Sequence, residues 1–209
     1  MISEAYDWNV IIVGYWNRAI LTPAGIAQRL LGLEPSTPLV VEVAMNGIGP
    51  TRVKHDNLVI VPEARKLIIT AEIATLDNFD RARNNGIKAI ENLPETPLSA
   101  AGFNIRMKID ETPDQLLSAL KTNIDDRLSD AGLIIEERSL TRTVRVGDGK
   151  LNLTIYSEKE LRVELNFHRQ STVNEELIAW LRLPIGDVKK KVNDIFDKVI
   201  EIPSGELQI

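Results

Sequence analysis

The stretch that decides the fold is Leu98-Ser99-Ala100-Ala101-Gly102-Phe103-Asn104-Ile105-Arg106-Met107-Lys108-Ile109-Asp110. Ala101, Phe103, Ile105, Met107 and Ile109 fall on one side; Asn104, Arg106 and Lys108 fall on the other. Period-two alternation of this kind marks a strand with one buried and one polar face. Such a strand belongs in an antiparallel sheet whose apolar face is covered by helices and whose other face is polar.

Working upstream, Leu76, Phe79, Ala82, Gly86/Ile87 and Ile90 keep helical spacing over 76–92, with Thr75 or Asp77 as the cap. Before that helix, TRVKH, NLVIVPE and RKLIITAEI read as a meander turned at His55-Asp56-Asn57 and Pro62-Glu63-Ala64. PLVVEVAM is a further strand ending at Asn46-Gly47. Thr22-Pro23 opens a short helix through about Leu31. WNVIIVGYW (8–16) is apolar in both alternating sets, which predicts burial on both faces.

Working downstream, Thr112-Pro113-Asp114-Gln115 reads as a capping box with proline at the first helical position. The helix it starts, 112–131, carries Leu116, Leu117, Leu120, Ile124 and Leu128 on one face and stops near Gly132. Strands at about 134–146, 151–157 and 160–168 follow, turned at Gly147-Asp148-Gly149 and Ser157-Glu158-Lys159. Thr172 and Glu175 suggest another capping box before a helix that holds Trp180 and breaks at Pro184. The last helix, 187–200, presents Val188, Val192, Ile195 and Val199, with Phe196 beside them. The fold class is therefore α+β: an antiparallel meander sheet with helices mainly on one face, in an N-terminal half (1–110) and a C-terminal half (111–209) sharing one sheet. Asn57-Leu58-Val59-Ile60 and Asn152-Leu153-Thr154-Ile155 each open a hairpin followed by a helix, which suggests a pseudo-repeat.

Composition removes several functions. The 209 residues hold 25 basic and 30 acidic side chains, a formal charge of −5. Residues 1–110 hold 11 basic and 12 acidic groups, and residues 111–209 hold 14 and 18, so neither half is cationic. Binding of nucleic acid mainly through phosphates is disfavoured. With no cysteine, thiolate catalysis, disulfides and Cys-ligated metals are excluded. No signal peptide and no run of apolar residues long enough for a membrane span is visible, so a cytoplasmic location without membrane association is expected.

The chain offers little catalytic chemistry. There is no Gly-x-Ser-x-Gly elbow, and there are only two histidines. Asn46-Gly47-Ile48-Gly49-Pro50 lacks the lysine and hydroxyl of a phosphate loop, and strand signals follow it. His55-Asp56 and the Asp125, Asp126, Asp130 group read as solvated turn and helix residues rather than a metal site. No catalytic residue, metal or cofactor is assigned. The constellation that stands out is the polar face of the C-terminal sheet: Asn152, Thr154 and Tyr156 on one strand, and Arg162, Glu164, Asn166 and His168 on the next. Thr141, Thr143 and Arg145 extend it on the preceding strand, and Arg106 and Lys108 join it if their strand shares the sheet. Arg145, Tyr156, Arg162, Glu164 and His168 are the residues expected to meet a ligand or partner.

Glu91-Asn-Leu-Pro-Glu-Thr-Pro-Leu-Ser-Ala-Ala-Gly-Phe-Asn-Ile105 resembles a helix-to-strand junction, Leu-Pro-x-Thr-Pro-x-x-Ala-x-Gly-x-Asn, of small, sporadically distributed bacterial α+β proteins of unassigned function. Trp16-Asn17 and Thr22-Pro23 add to the likeness. The resemblance implies a bacterial source and carries over no catalytic residue. Physically, Leu93-Pro94 stops a helix and Thr96-Pro97 forces extended backbone. The expected function is a non-enzymatic cytoplasmic interaction protein that binds a protein partner or itself as a homodimer. The alternatives are a small-molecule or single-stranded nucleic-acid binder using the polar face, and a carboxylate- and metal-dependent enzyme. One concave cluster of Arg106, Arg145 and Arg162 would favour the binder.

Overall fold

The structure, a computed structural model, describes residues 3–45, 49–109, 114–158 and 160–201. The strands are β1 (Ser3–Gly14), β2 (Val40–Glu42), β3 (Arg52–His55), β4 (Leu58–Pro62), β5 (Lys66–Ala71), β6 (Leu98–Ile109), β7 (Arg138–Val146), β8 (Gly149–Ser157) and β9 (Leu161–Gln170). They form one nine-stranded antiparallel sheet in the order β2-β3-β4-β5-β1-β6-β9-β8-β7. The helices are α1 (Pro23–Ile26), α2 (Leu76–Asn92), α3 (Asp114–Leu120), α4 (Asn123–Asp130), α5 (Asn174–Leu181) and α6 (Ile185–Ile195). π-helical turns extend α1 over Ala27–Leu31 and α6 over Phe196–Ile200. This is the α+β architecture expected from the alternation in β6. Each half contains a hairpin followed by a helix, β4–β5–α2 and β8–β9–α5, and the two helices pack together.

The core lies between the helices and one sheet face. Trp8 meets Phe79 edge-on at 5.6 Å, Phe79 meets Phe103 at 5.5 Å, and Phe103 stacks on Phe167 at 5.1 Å and on Trp180 at 6.5 Å. Such aromatic geometry adds to the gain from burial alone. Trp8, Trp16 and Trp180 are all buried. Helix α2 sits close on β1 because Gly86 has no side chain; a Cβ there would stand 3.2 Å from Val10 Cγ1. The turn at Asp56-Asn57 has positive φ at both residues (45° and 62°), the geometry that suits a two-residue hairpin.

Several expectations need correction. Strand β1 begins at Ser3, well before Trp8, because a bulge at Asp7 (φ 45°) restores the register between Tyr6 and Asn9. It is not buried on both faces: Val10 and Ile12 are buried, whereas Val13 and Tyr15 are exposed. The 112–131 helix is two helices. Its apolar spacing is compatible with one, but the Thr122 side chain turns inward on the backbone and caps α4, accepting from Ile124 N–H. Ile124 is consequently exposed. Helix α5 is not capped by Thr172: it starts after Val173, whose N–H donates to Ser171 Oγ at 3.0 Å. The π turn rotates the end of α6, so Phe196 and Ile200 are buried and Val199 is exposed. The β2 strand covers only Val40–Glu42. Thr112-Pro113, Asn46-Gly47-Ile48 and Lys159 lie outside the described residues.

Candidate functional site

Helices α2, α5 and α6 occupy the sheet face carrying Val10, Phe103 and Phe167. The opposite face is the one on which the five expected residues fall, and strand register arranges it in rows. The first row runs Lys108–Arg162–Tyr156–Ser139 across β6, β9, β8 and β7. The second is Tyr6–Arg106–Glu164–Thr154–Thr141, the third Asn9–Asn104–Asn166–Asn152–Thr143, and the fourth Ile11–Gly102–His168–Lys150–Arg145.

In the first two rows the cations are matched by anions. Arg162 donates to Glu158 at 3.0 Å, and its guanidinium lies 5.8 Å from the Tyr156 ring centre. Lys108 pairs with Glu160 at 3.3 Å. Arg106 bridges two carboxylates, Glu164 at 2.8 Å and Asp7 at 2.5 Å. The Asp7 bulge is what brings that second carboxylate alongside. Burial works against the Arg106 charge, but Glu164 and Asp7 outweigh it and raise its pKa further. Burial likewise pushes the Tyr6 phenol up, against the pull of Arg162 and Arg106.

The third row is a continuous hydrogen-bonded chain across five strands. Thr143 Oγ1 donates to Asn152 Oδ1 at 2.8 Å, Asn152 Nδ2 to Asn166 Oδ1 at 3.1 Å, and Asn166 Nδ2 to Asn104 Oδ1 at 2.6 Å. Asn104 Nδ2 donates to Asn9 Oδ1 at 2.8 Å, and Asn9 Nδ2 ends the chain on Asp7 Oδ1 at 3.2 Å. Every amide in it points the same way. Asn9 and Asn104 are buried although no helix covers them. Polar groups buried with both functions paired cost little, and each bond polarises the next.

The fourth row differs. Arg145 stands opposite Lys150, and Lys150 opposite His168. Neither Arg145 nor Lys150 has an ion pair or side-chain hydrogen bond among the described residues, and His168 Nδ1 is buried without a partner. An open hollow of about 300 Å³ lies here, lined by Arg145, Lys150, His168, Gln170 and the β7–β8 turn.

The five expected residues thus share a face but not a cluster. Tyr156 and Arg162 touch, Glu164 belongs to Arg106, and Arg145 and His168 stand two rows away beside Lys150. Arg106, Arg145 and Arg162 occupy three different rows, the first and last of them interleaved with acids. Lys150, Gln170 and Asn9 were not singled out by sequence. Their signal is positional: each falls in register only once β8, β9 and β1 are aligned. Among the described residues no group of three or more His, Asp and Glu side chains is placed to hold a metal ion. No helix among them is long and apolar enough to cross a membrane.

The two sheet edges are also unlike. Edge strand β7 exposes Arg142 and Arg145 among threonines, with Val144 (47%) between them. Edge strand β2 and the residues after it expose Val40 (59%), Val41 (41%), Val43 (66%) and Met45 (107%). Glu42 there pairs with Arg52 at 3.4 Å and Lys54 at 2.8 Å. No family model matches the chain, and no curated protein matches it either.

Proposed function

We propose that the protein is a non-enzymatic interaction module whose β2 edge pairs with a second copy of itself. The observation that carries this reading is the run of exposed apolar side chains at Val40 and Val41 on an edge strand and at Val43 and Met45 just after it. An edge strand presents unpaired backbone N–H and C=O groups, and proteins that must stay single guard such edges with charge. The β7 edge flanks its exposed Val144 with Arg142 and Arg145, whereas β2 exposes Val40 and Val41 side by side. A two-fold axis beside β2 places like edges antiparallel, so one patch serves both subunits. Glu42 is neutralised within the chain by Arg52 and Lys54, so it sets no unpaired like charge against a rotated copy.

The test is solution mass by sedimentation velocity over a wide range of concentration. Wild type is expected to dimerise, and Val41→Lys combined with Val43→Lys to be monomeric with an unchanged thermal midpoint. A wild-type protein that stays monomeric at about 100 μM would sink the self-pairing reading. So would a dimer that survives both lysines.

A further inference from the structure

The fourth row of the helix-free face has features that pairing between copies at the far edge does not use. We propose that the hollow beside Arg145, Lys150 and His168 is a binding site for a small phosphate monoester with an apolar body.

Three observations converge on it. The first is charge. Elsewhere on this face Arg106, Lys108 and Arg162 each have a carboxylate partner. Arg145 and Lys150 have none among the described residues, yet register sets them directly opposite each other. Like charges facing across strands destabilise a sheet, and an anion between them removes that cost. The nearby Asp148 carboxylate does not do so, because it is engaged by Arg169 at 3.1 Å.

The second is an incomplete network. Every amide in the asparagine row is satisfied by the chain itself, whereas in the next row His168 Nδ1 is buried and unpaired. The Arg145 guanidinium, the Lys150 ammonium and the Gln170 amide line the hollow as a donor set for phosphate oxygens: a planar fork, a point charge and an amide N–H.

The third is shape. A second hollow of about 290 Å³ adjoins the first, and His168 and Gln170 line both. Its other walls include Ile11, Val13, Ala100 and Gly102. Gly102 is the member of the row with no side chain, and the strands are close there: a Cβ would lie 2.4 Å from Phe167 O and 2.8 Å from His168 Cβ. The space beside His168 therefore continues onto apolar side chains at β1. A ligand filling both hollows places phosphate on the cations and an apolar or ring-like body over Ile11 and Val13.

Phenyl phosphate is a suitable probe, titrated calorimetrically into the full chain and followed by the His168 imidazole resonances. It is expected to bind saturably, to shift those resonances, and to bind at least about tenfold more tightly than inorganic phosphate, which lacks the body. Arg145→Gln with Lys150→Gln is expected to weaken it by about 100-fold or more while leaving the thermal midpoint in place, since both side chains are exposed. Val13→Asp, on the other wall, is expected to abolish the preference over inorganic phosphate. Absence of saturable binding at about 10 mM overturns the proposal. Equal affinity for inorganic phosphate, or affinity unchanged in the double variant, overturns it as well. None of these outcomes depends on whether the β2 edge pairs.

Discussion

Arg83 shows how much a single side chain can settle here. It lies on α2, is 2% exposed, and reaches the end of α5. Its Nε donates to Leu181 O at 3.0 Å, and its Nη2 donates to both Leu181 O and Leu183 O. Leu181 closes α5 and Leu183 lies in the short link to α6, so the guanidinium acts as a C-cap supplied from another element and holds that link as well. Its centre also stands 5.9 Å from the Phe79 ring and 5.7 Å from Phe103. Burial lowers the Arg83 pKa, with Asp80 partly offsetting that effect. Arg83→Met keeps the apolar stem but leaves two carbonyls without donors. It is expected to cost about 2–4 kcal/mol in urea denaturation. In the sequence this arginine looks like one more polar residue on an amphipathic helix. Its partners lie some hundred residues away, and no local pattern marks it.

At the scale of elements, the period-two strands and the 76–92 helix were legible because their apolar spacing matches the faces they bury. The junctions were not. The 112–131 segment divides at Thr122, where a side chain competes for the backbone, and such competition has no periodicity. Helix α4 that results buries none of its residues fully. It is held to β7 by Arg138 Nε donating to Asp125 Oδ2 at 2.5 Å. That bond, helped by Thr122, holds the Asp125 carboxyl below its usual value. A carboxylate with a depressed folded pKa stabilises the fold above about pH 4, and that contribution is lost as pH falls through the folded value. Asp125→Asn is therefore expected to lower the urea midpoint at pH 7 and to have a smaller effect near pH 3. An equal loss at both pH values would show that the charge is not what docks α4. Similarly, the composition of the polar face was readable from β6, β8 and β9, but the pairings that separate Arg106 from Arg145 depend on register between distant strands.

For the whole molecule, β6 is central: it pairs with β1 on one side and β9 on the other, and Phe103 touches Phe79 and Trp180 alike. With Arg83 tying α2 to α5 as well, the two halves are expected to unfold together. Far-UV circular dichroism and tryptophan fluorescence should then give coincident urea transitions; midpoints separated by more than about 0.5 M would indicate halves that melt independently. The asparagine row has a further consequence, for assembly rather than stability. Side-chain period two means that a one-residue slip of any strand turns its amide to the other face. Because the row crosses five of the nine strands, a slip of any of those five interrupts a chain of bonds that is complete only when all five are in place. The row therefore works as a checksum on the sheet: a mispaired intermediate forfeits it, gains nothing in exchange, and is left free to try again.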